Sequence, residues 1–598
     1  MSDGTCDGLR TLLIGIDGAS HEVLAERGES VVPNLTALLD RGSSGALESQ
    51  IPPWTPSAWP SLYTGVNPGK HGVYGFLAFE GYDWDVVDYA DVKAHALWEL
   101  LSERGFTSVV VNVPVTHPPT AFDGALVPGY TSPESPTCHP SGLLADLEAE
   151  LGDYRVYDDS TDPSDDRAER IESYERLLAS RGEAFRYLAD RFDPDFGFLQ
   201  FQQTDTVFHE SPEDDRVVDA VYAAADREIG ATIEACDPDV VLVASDHGIG
   251  PYDGHEFRAN SFLRDRGDVA TTVGEGGMPS WTSIARNRLQ GDPAGGAGDA
   301  DGSADASGNS AANGTAGATA LERSLAVAAR VGVTSQRIER VVKRLGIEDL
   351  VLRIAPADAV RAAAEQVDFP ASRAYVRDRI ELGVRINLEG REPEGVVPPA
   401  EYDAVRSELV DALSAVETPD GEPVFEAVRP REAVFDGPYL EDAPDVVVVP
   451  NEFDQFLSAS LHDEQFGPPS EPWNHKLDGL IAVAGDVDTS VSLADRFRAT
   501  ADGSRTAADS PAAGDGSPTG DTHREAAHLF DVAPTVLATF GLPAAERMDG
   551  DVLPVVEPAG VERYPDYDPA ADGPAGAPAA TEESAVEDRL ADLGYLER

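Results

Sequence analysis

The sequence predicts an α/β fold in which a central, mostly parallel sheet is sandwiched by helices and interrupted by insertions. Short apolar runs that indicate buried strands alternate with longer periodic segments that indicate helices. Three of these runs lead directly into acidic residues, and the carboxyl ends of parallel strands form the edge at which open α/β sheets bind ligands. The alternation therefore predicts the fold class, and the acidic strand ends predict where its site lies.

The first strand is predicted for Thr11–Ile16, an apolar run that ends at the carboxylate of Asp17. Residues 51–72 follow, a stretch punctuated by proline and glycine that indicates a tight turn around Thr55 and a helix beginning near Ser57. A hydroxyl at this place lies near helix N–H groups, where an anion is favoured. Taken alone, the same residues also fit an ordinary helix start with a threonine cap.

The rest of the chain continues the alternation. Further buried strands are predicted at 108–114, 196–202, 240–248, 444–450 and just after His475. Further helices are predicted at 21–24, 33–40, 94–104, 143–151, 167–191, 217–235, 321–363, 402–416, 530–540 and 582–593.

Composition suggests how the chain is divided. Residues 8–290 and 426–555 are predicted to form the two parts of one catalytic core, separated by a helical and α+β insertion at 321–425. Two segments of low complexity, 291–320 and 501–522, contain almost nothing to bury and are predicted to be disordered. Residues 556–598 are predicted to be a linker and a short helix.

The charge of the chain excludes several classes of partner. Lys and Arg number 45 against 108 Asp and Glu, a formal net charge of −63. This argues against nucleic-acid backbones and anionic membranes as partners, and it suggests adaptation to high salt. Three scattered cysteines provide neither a disulfide framework nor a thiolate zinc site. With no apparent leader or membrane span, the chain is expected to be cytoplasmic.

Seven residues at or near predicted strand ends carry the chemistry. Carboxylate and imidazole ligands without thiolates suit catalytic zinc, with manganese or iron as alternatives. Two divalent ions would balance three aspartates and a threonine alkoxide, and they would activate a hydroxyl that is otherwise a poor nucleophile. The set comprises Asp17, Thr55, Asp205, His209, Asp246, His247 and His475.

Five motifs with these spacings resemble the alkaline phosphatase superfamily, and within it the type I phosphodiesterase/nucleotide pyrophosphatase group. They are Ile16-Asp-Gly18, the Thr55 turn with Pro68-Gly-Lys-His-Gly72, Asp205-Thr-Val-Phe-His209, Ser245-Asp-His-Gly248 and His475-Lys-Leu-Asp-Gly479. The stretches around Asn112, Arg385, Gly437, Asp531 and Met548 resemble members of the same group. The resemblance covers most of residues 10–555, apart from the two segments of low complexity.

The resemblance implies an alkaline-phosphatase-like fold with two metal-binding sites. It implies that Asp205, His209 and His475 hold one metal ion, while Asp17, Asp246, His247 and Thr55 surround a second. It also implies that Thr55 attacks phosphorus in line and forms a phospho-threonine that water then hydrolyses. The expected substrate is a small molecule with a phosphodiester or pyrophosphate-type bond, and the oligomeric state is left open.

Two other classes of function fit the same residues. A phosphomonoesterase or a sulfatase-like hydrolase would use the same fold, although Thr55-Pro-Ser-Ala-Trp59 does not contain the Cys/Ser-x-Pro-x-Arg run of sulfatases. A metal-binding regulatory relative is the alternative that is not an enzyme. The sequence also departs from nucleotide pyrophosphatases because no Asn follows Thr55 before Asn67. Support for the phosphoryl oxygens is therefore expected from the metals, from the Ser57 amide or from a residue that the sequence does not identify.

Overall fold

The computed structural model describes residues 8–157, 167–273, 365–494, 526–568 and 573. Its largest sheet has eight strands. In chain order these strands are β1 (Thr11–Ile16), β2 (Ser43–Glu48), β3 (Ser108–Val111), β4 (Gly124–Val127), β5 (Phe196–Phe201), β6 (Val240–Ala244), β7 (Asp478–Gly485) and β8 (Ala527–His528).

Seven of these eight strands run in the same direction. Their order across the sheet is β8-β2-β7-β6-β1-β5-β3-β4, and β7 alone is antiparallel to its neighbours. Every residue of β1, β3, β5 and β6 is buried, as expected for central strands covered on both faces. The predicted α/β class with a mostly parallel central sheet is therefore confirmed.

Helices cover both faces of the sheet. Leu12, Ile14 and Ile16 of β1 pack against the helices His21–Arg27, Pro33–Arg41, Arg167–Phe192 and Asp215–Cys236. Leu13 packs in the opposite layer with the helices Thr55–Thr64, Leu97–Glu103 and Val532–Thr539. The helices are α1 (His21–Arg27), α2 (Pro33–Arg41), α3 (Thr55–Thr64), α4 (Pro68–His71), α5 (Leu97–Glu103), α6 (Leu143–Leu151), α7 (Arg167–Phe192), α8 (Gln203–Glu210), α9 (Asp215–Cys236), α10 (Ala259–Arg266), α11 (Tyr402–Ser414) and α12 (Val532–Thr539).

A second apolar cluster is centred on a four-stranded antiparallel sheet, in which Val446–Pro450 lies between Gly383–Ile386 and Phe425–Pro430. Helix α11 packs on this sheet through Val405, Leu409 and Leu413. The other strands are Leu77–Glu80, Asp83–Val86, Gly248–Pro251, Glu256–Arg258, Thr271–Val273, Glu365–Val367, Ala374–Tyr375, Phe456–Ser458, Phe466–Gly467, Trp473–Lys476, Ala544–Ala545 and Val561–Glu562.

Several element boundaries differ from the sequence predictions. Helix α3 begins at Thr55 itself because Trp54 provides the extended residue before the first turn, and Pro56 is tolerated there. The strand predicted just after His475 is β7, which begins at Asp478. His475 itself lies within a further strand that was not predicted, Trp473–Lys476, which pairs with Gly248–Pro251. Residues around Asp205, for which no helix was predicted, form the eight-residue helix α8.

Part of the predicted organisation lies outside the described residues. This applies to the low-complexity segments 291–320 and 501–522, to the helices predicted at 321–363 and 582–593, and to most of the segment 556–598. The proposed domain boundaries stay predictions. Across the part of the chain that the structure describes, no helix combines the length and the apolar character needed to cross a membrane.

Candidate active site

The candidate site lies at the carboxyl ends of β1, β5 and β6. Asp17 directly follows β1, Asp205 lies in the first turn of α8 after β5, and Asp246 and His247 follow β6. The strand Trp473–Lys476 adds His475 through its pairing with Gly248–Pro251. All seven predicted site residues thus converge on one edge of the sheet.

The Thr55 hydroxyl lies at the start of α3, fully buried. Its Oγ1 is 3.4 Å from Asp17 Oδ1 and 3.4 Å from His247 Nε2. The α3 N-terminus adds the partial positive charge of its N–H groups. Ser57 N–H is bonded to the Trp54 carbonyl at 2.9 Å, whereas no acceptor for Thr55 N–H is found among the described residues.

Two groups of buried ligand atoms surround this hydroxyl. Asp17, Asp246 and His247 form one group, and Asp205, His247 and His475 form the other, so that His247 belongs to both. His209 adjoins the second group, with its Nε2 at 3.4 Å from Asp205 Oδ2 and 3.3 Å from His475 Nε2.

Backbone carbonyls orient two of the imidazoles. His475 Nδ1 lies 2.8 Å from the Pro53 carbonyl, and His247 Nδ1 lies 2.9 Å from the Gly248 carbonyl. Both contacts require Nδ1 to carry the proton, which leaves each Nε2 lone pair directed into the cluster. This is the arrangement that histidine ligands of metals usually adopt. The two rings stack with centroids 3.7 Å apart.

The pKa values of the clustered residues are shifted because carboxylates and imidazoles are buried side by side. Burial raises the pKa of Asp17, and burial followed by the charge of Asp17 raises the pKa of Asp246 well above its usual value. Burial lowers the pKa of His247, but the charge of Asp246 and the bond to Asp17 outweigh it and raise that pKa to about 10. Burial and the neighbouring His247 hold the pKa of His475 well below its ordinary value. Burial also opposes the ionisation of Asp205, but the charge of His209 and the bond to it outweigh burial and lower the pKa of Asp205 below its usual value. Asp17 and Asp246 therefore retain protons unless a cation replaces them.

These residues fit a divalent metal ion. The donors are carboxylate oxygens and imidazole nitrogens, which suit zinc, manganese or iron. Asp246 Oδ2 is buried and accepts no hydrogen bond within the described part of the chain, although His247 Nε2 lies 3.3 Å away. The buried His and Asp groups could therefore hold a metal ion.

Asp17 is positioned by residues that the sequence analysis did not assign to the site. Its Oδ2 accepts hydrogen bonds from Trp59 Nε1 at 2.9 Å and Gln200 Nε2 at 2.8 Å. Asn112 Nδ2 in turn donates to Gln200 Oε1 at 2.8 Å. Asn112 has a φ of 64°, a left-handed conformation that asparagine adopts more readily than most residues. Asp17 Oδ1 is thereby turned toward Thr55 and His247.

Two lysines and a histidine near the sequence motifs have structural roles. Lys70 bonds Asp549, and Lys476 bonds Asp454, so each is held in an ion pair. His71 accepts a hydrogen bond from Val73 N–H at Nδ1, 3.2 Å, and lies 2.8 Å from Ser61 Oγ at Nε2. Burial lowers the pKa of His71 to about 3, so it stays neutral and fixes the loop after α4.

Aromatic residues border the cluster. Trp54 lies in the apolar cluster of the second sheet, and its ring centroid is 5.2 Å from that of His475. Trp473 stacks on Phe208 at 5.1 Å, away from the ligand atoms. Trp59 is fully buried and also donates a hydrogen bond to Asp17.

Comparison with known proteins connects this geometry to a family. Among solved structures, phosphonoacetate hydrolase from Sinorhizobium meliloti 1021 is similar at 14% identity over 80% of this chain and 89% of that chain, with a TM-score of 0.44. Murine ectonucleotide pyrophosphatase / phosphodiesterase 5 is similar at 11% identity over 90% and 96%, with a TM-score of 0.40. No curated protein matches the chain.

The model of one protein family matches the chain over residues 11–345, which is more than half of its length. That family is described as type I phosphodiesterase / nucleotide pyrophosphatase. The matched region contains six of the seven clustered residues, Asp17 to His247, and His475 alone lies beyond it. The resemblance predicted from the motifs is confirmed: the chain belongs to the type I phosphodiesterase / nucleotide pyrophosphatase family, whose activity is the hydrolysis of phosphoryl bonds.

Proposed function

We propose that the protein hydrolyses phosphodiester or pyrophosphate-type bonds of a small molecule with Thr55 as nucleophile and two divalent ions, zinc in the first instance. The observation that carries the proposal is the position of the Thr55 hydroxyl. It lies at a helix N-terminus, fully buried, within 3.4 Å of Asp17 and His247. A threonine placed only as a helix cap has no need of such a cluster.

The ligand set divides into two parts around this hydroxyl. Asp17 and Asp246 lie on one side, Asp205, His209 and His475 lie on the other, and His247 reaches both. We propose that these residues hold two ions, with manganese or iron as alternatives to zinc. When bound, such ions lower the pKa of a coordinated hydroxyl and neutralise charge on a phosphoryl group.

The chain's own residues prepare the nucleophile and the incoming group. Thr55 Oγ1 forms a bond to phosphorus while the bond between phosphorus and the leaving oxygen breaks, which yields a phospho-threonine. Water then cleaves that ester and restores the hydroxyl. The Thr55 N–H at the first position of α3 has no acceptor among the described residues, so it can donate to a bound anion.

The test compares a bis-aryl phosphate with an aryl monophosphate in molar salt with zinc or manganese added. We expect the diester to be preferred, and we expect Thr55→Ala to lower kcat by at least about 1000-fold because the nucleophile is removed. Thr55→Ser, which keeps a hydroxyl, is the matched control and is expected to retain partial turnover.

Three results would contradict the proposal. Preference for the monoester would move the assignment to a phosphomonoesterase with the same site. Unchanged turnover by Thr55→Ala would remove Thr55 from the mechanism. Metal-loaded, folded protein that hydrolyses neither compound would favour the regulatory alternative.

A further inference from the structure

We infer that the side-chain N–H₂ group of Gln202 binds a nonbridging oxygen of the substrate's phosphoryl group. This inference deepens the proposed phosphoryl-transfer function and rests on it. It starts from a requirement of the chemistry, because charge on the nonbridging oxygens is best stabilised by fixed donors that are already in place.

The obvious donors near Thr55 are already used. Pro56 has no N–H, and the Ser57 N–H, expected from the sequence to serve here, is bonded to the Trp54 carbonyl at 2.9 Å. The Thr55 N–H is therefore a single backbone donor for a group with several oxygens.

The first asparagine after Thr55 is also committed elsewhere. Asn67 Nδ2 donates to Asp436 Oδ1 at 2.6 Å and to Asp549 Oδ2 at 3.0 Å. Its Oδ1 accepts the Gly69 N–H at 2.8 Å. Asn67 thus ties the start of α4 to two other segments and has no amide hydrogen left for a substrate.

Gln202 lies just beyond the carboxyl end of β5 and contacts Gln200, the residue that bonds Asp17. A Cβ at Gly15 would lie 2.5 Å from the Trp59 ring and 3.0 Å from Gln200 Cγ, so Trp59 and Gln200 meet over β1 on one face. One helical turn from Trp59 back to Thr55 spans about 6 Å. Two residues forward along the strand direction, from Gln200 to Gln202, span nearly the same distance. Both steps lead toward the carboxyl edge.

The neighbouring amides fix the orientation of the Gln202 side chain. Asn112 Nδ2 donates to Gln200 Oε1, so Gln200 must present its Nε2 to Asp17 Oδ2 at 2.8 Å and to Gln202 Oε1 at 3.3 Å. The reverse orientation of Gln202 would set two N–H₂ groups against each other. The shared donor places Gln202 Oε1 within about 5 Å of Asp17 Oδ2.

The Gln202 N–H₂ group is left without an acceptor. Gln202 is 4% exposed, and its Nε2 is buried with no hydrogen-bond partner among the described residues. Native proteins rarely leave such a group unpaired, and where they do an absent ligand is one explanation. A neutral donor beside a metal cluster suits an anionic oxygen because it adds no charge that would repel the ions.

The experiment compares wild type with Gln202→Met and Gln202→Glu. Gln202→Met keeps the length of the side chain and removes the donor. Gln202→Glu keeps the acceptor for Gln200 and replaces the donor by a second acceptor. Gln455→Met is the control for the loss of a buried amide. Gln455 lies in the second lobe, the part of the structure built around the second apolar cluster, and accepts a hydrogen bond from His255 N–H at 2.9 Å. Each protein is assayed for metal content, for binding of orthovanadate and for kcat and KM on the bis-aryl phosphate.

We expect Gln202→Met to retain its metal, to lower kcat by roughly 100-fold with a smaller change in KM, and to bind orthovanadate at least about 10-fold more weakly. Gln202→Glu should show larger losses of kcat and of orthovanadate affinity. Gln455→Met should match wild type in both. Unchanged vanadate affinity and kcat in metal-loaded Gln202→Met would overturn the inference, as would loss of metal from that variant. If Gln202→Met does not fold, the isosteric Gln202→Glu decides on the same criteria. Wild type that neither turns over the diester nor binds vanadate would instead overturn the proposed function.

Discussion

Two groups of buried carboxylates in this protein are treated in opposite ways. Asp445, in the second lobe, is fully buried and is held by Arg391, whose Nη1 and Nη2 lie 2.7 Å from its two oxygens. Tyr402 Oη and the Ile386 N–H each donate to it at 2.7 Å. Burial opposes its ionisation, but the bonds to Arg391 outweigh burial and lower the pKa of Asp445 to about 2.

Asp17 and Asp246 in the candidate site are equally buried, but no arginine or lysine pairs with them among the described residues. Asp17, Asp205 and Asp246 are fully buried, and their ion-pair contacts are to imidazoles. The pKa values of Asp17 and Asp246 are raised, in contrast to that of Asp445. A buried carboxylate that accepts a full set of hydrogen bonds from charged and polar donors stabilises the fold. Buried carboxylates that have raised pKa values and no arginine or lysine partner indicate a binding site.

The largest expected effect belongs to the compensated group. Asp445→Asn removes the buried charge that pairs with Arg391 and with the buried Arg431, and leaves Arg391 with Glu392 as its ionic partner. The free energy of unfolding should therefore fall by about 3–5 kcal/mol. Because the folded pKa is depressed to about 2 from an unfolded value of about 3.9, the contribution is complete above pH 4 and disappears as the pH falls toward 2.

Denaturant titrations of wild type and Asp445→Asn between pH 2 and 7 measure this difference. The difference in the free energy of unfolding between the two proteins should become smaller as the pH falls toward 2. A gap that is small at pH 7, or that widens on acidification, would show that the Asp445 network is not the stabilising element described here.

Asp246→Asn should give the opposite pattern. Removing this ligand should weaken metal binding by more than about 100-fold, since even residues that only orient ligands are worth 10- to 100-fold. The metal-free variant should nevertheless unfold at the same free energy as metal-free wild type or a higher one, because a buried carboxylate beside Asp17 has been neutralised. Metal titrations and unfolding of chelator-treated proteins measure the two effects. Destabilisation of the metal-free variant by several kcal/mol would place Asp246 with Asp445 as a structural residue.

A smaller effect is expected from the residues that position Asp17. Gln200→Leu removes one of two donors to Asp17 Oδ2 and leaves that of Trp59. We expect metal affinity to fall by about 10- to 100-fold. Competition with a chromogenic chelator measures it, and Gln455→Leu is the control for burying leucine in place of glutamine. Equal affinity in Gln200→Leu and wild type would mean that Asp17 needs no such support.

The sequence predicted the parts of this site that carry strong local signals. Asp17, Asp246 and His247 follow apolar runs, and ligands bind at the carboxyl ends of parallel strands, so their convergence could be predicted. Asp205 and His209 are four residues apart, which places both on one side of a helical turn. His475 was found through its motif, but its placement within a strand depends on pairing with residues more than 200 positions away.

The supporting residues were not predictable in the same way. Gln200 lies in an apolar strand and Trp59 in an apolar helix, where both fit a packing role. Their hydrogen bonds to Asp17 depend on the approach of α3 to β1 and β5 over Gly15, which no spacing within the sequence encodes. Asn112 belonged to a recognised motif, and its left-handed backbone and contact with Gln200 give that motif a physical reason.

The most direct test of this account is the metal content of the folded, full-length protein after equilibration with zinc or manganese and removal of the excess. Elemental analysis should find two ions per chain in wild type and a reduced number in Asp246→Asn, while Asp445→Asn retains two. Wild type that is folded yet holds no metal, or Asp246→Asn that holds as much as wild type, would contradict the claim that the uncompensated carboxylates form a metal site around Thr55.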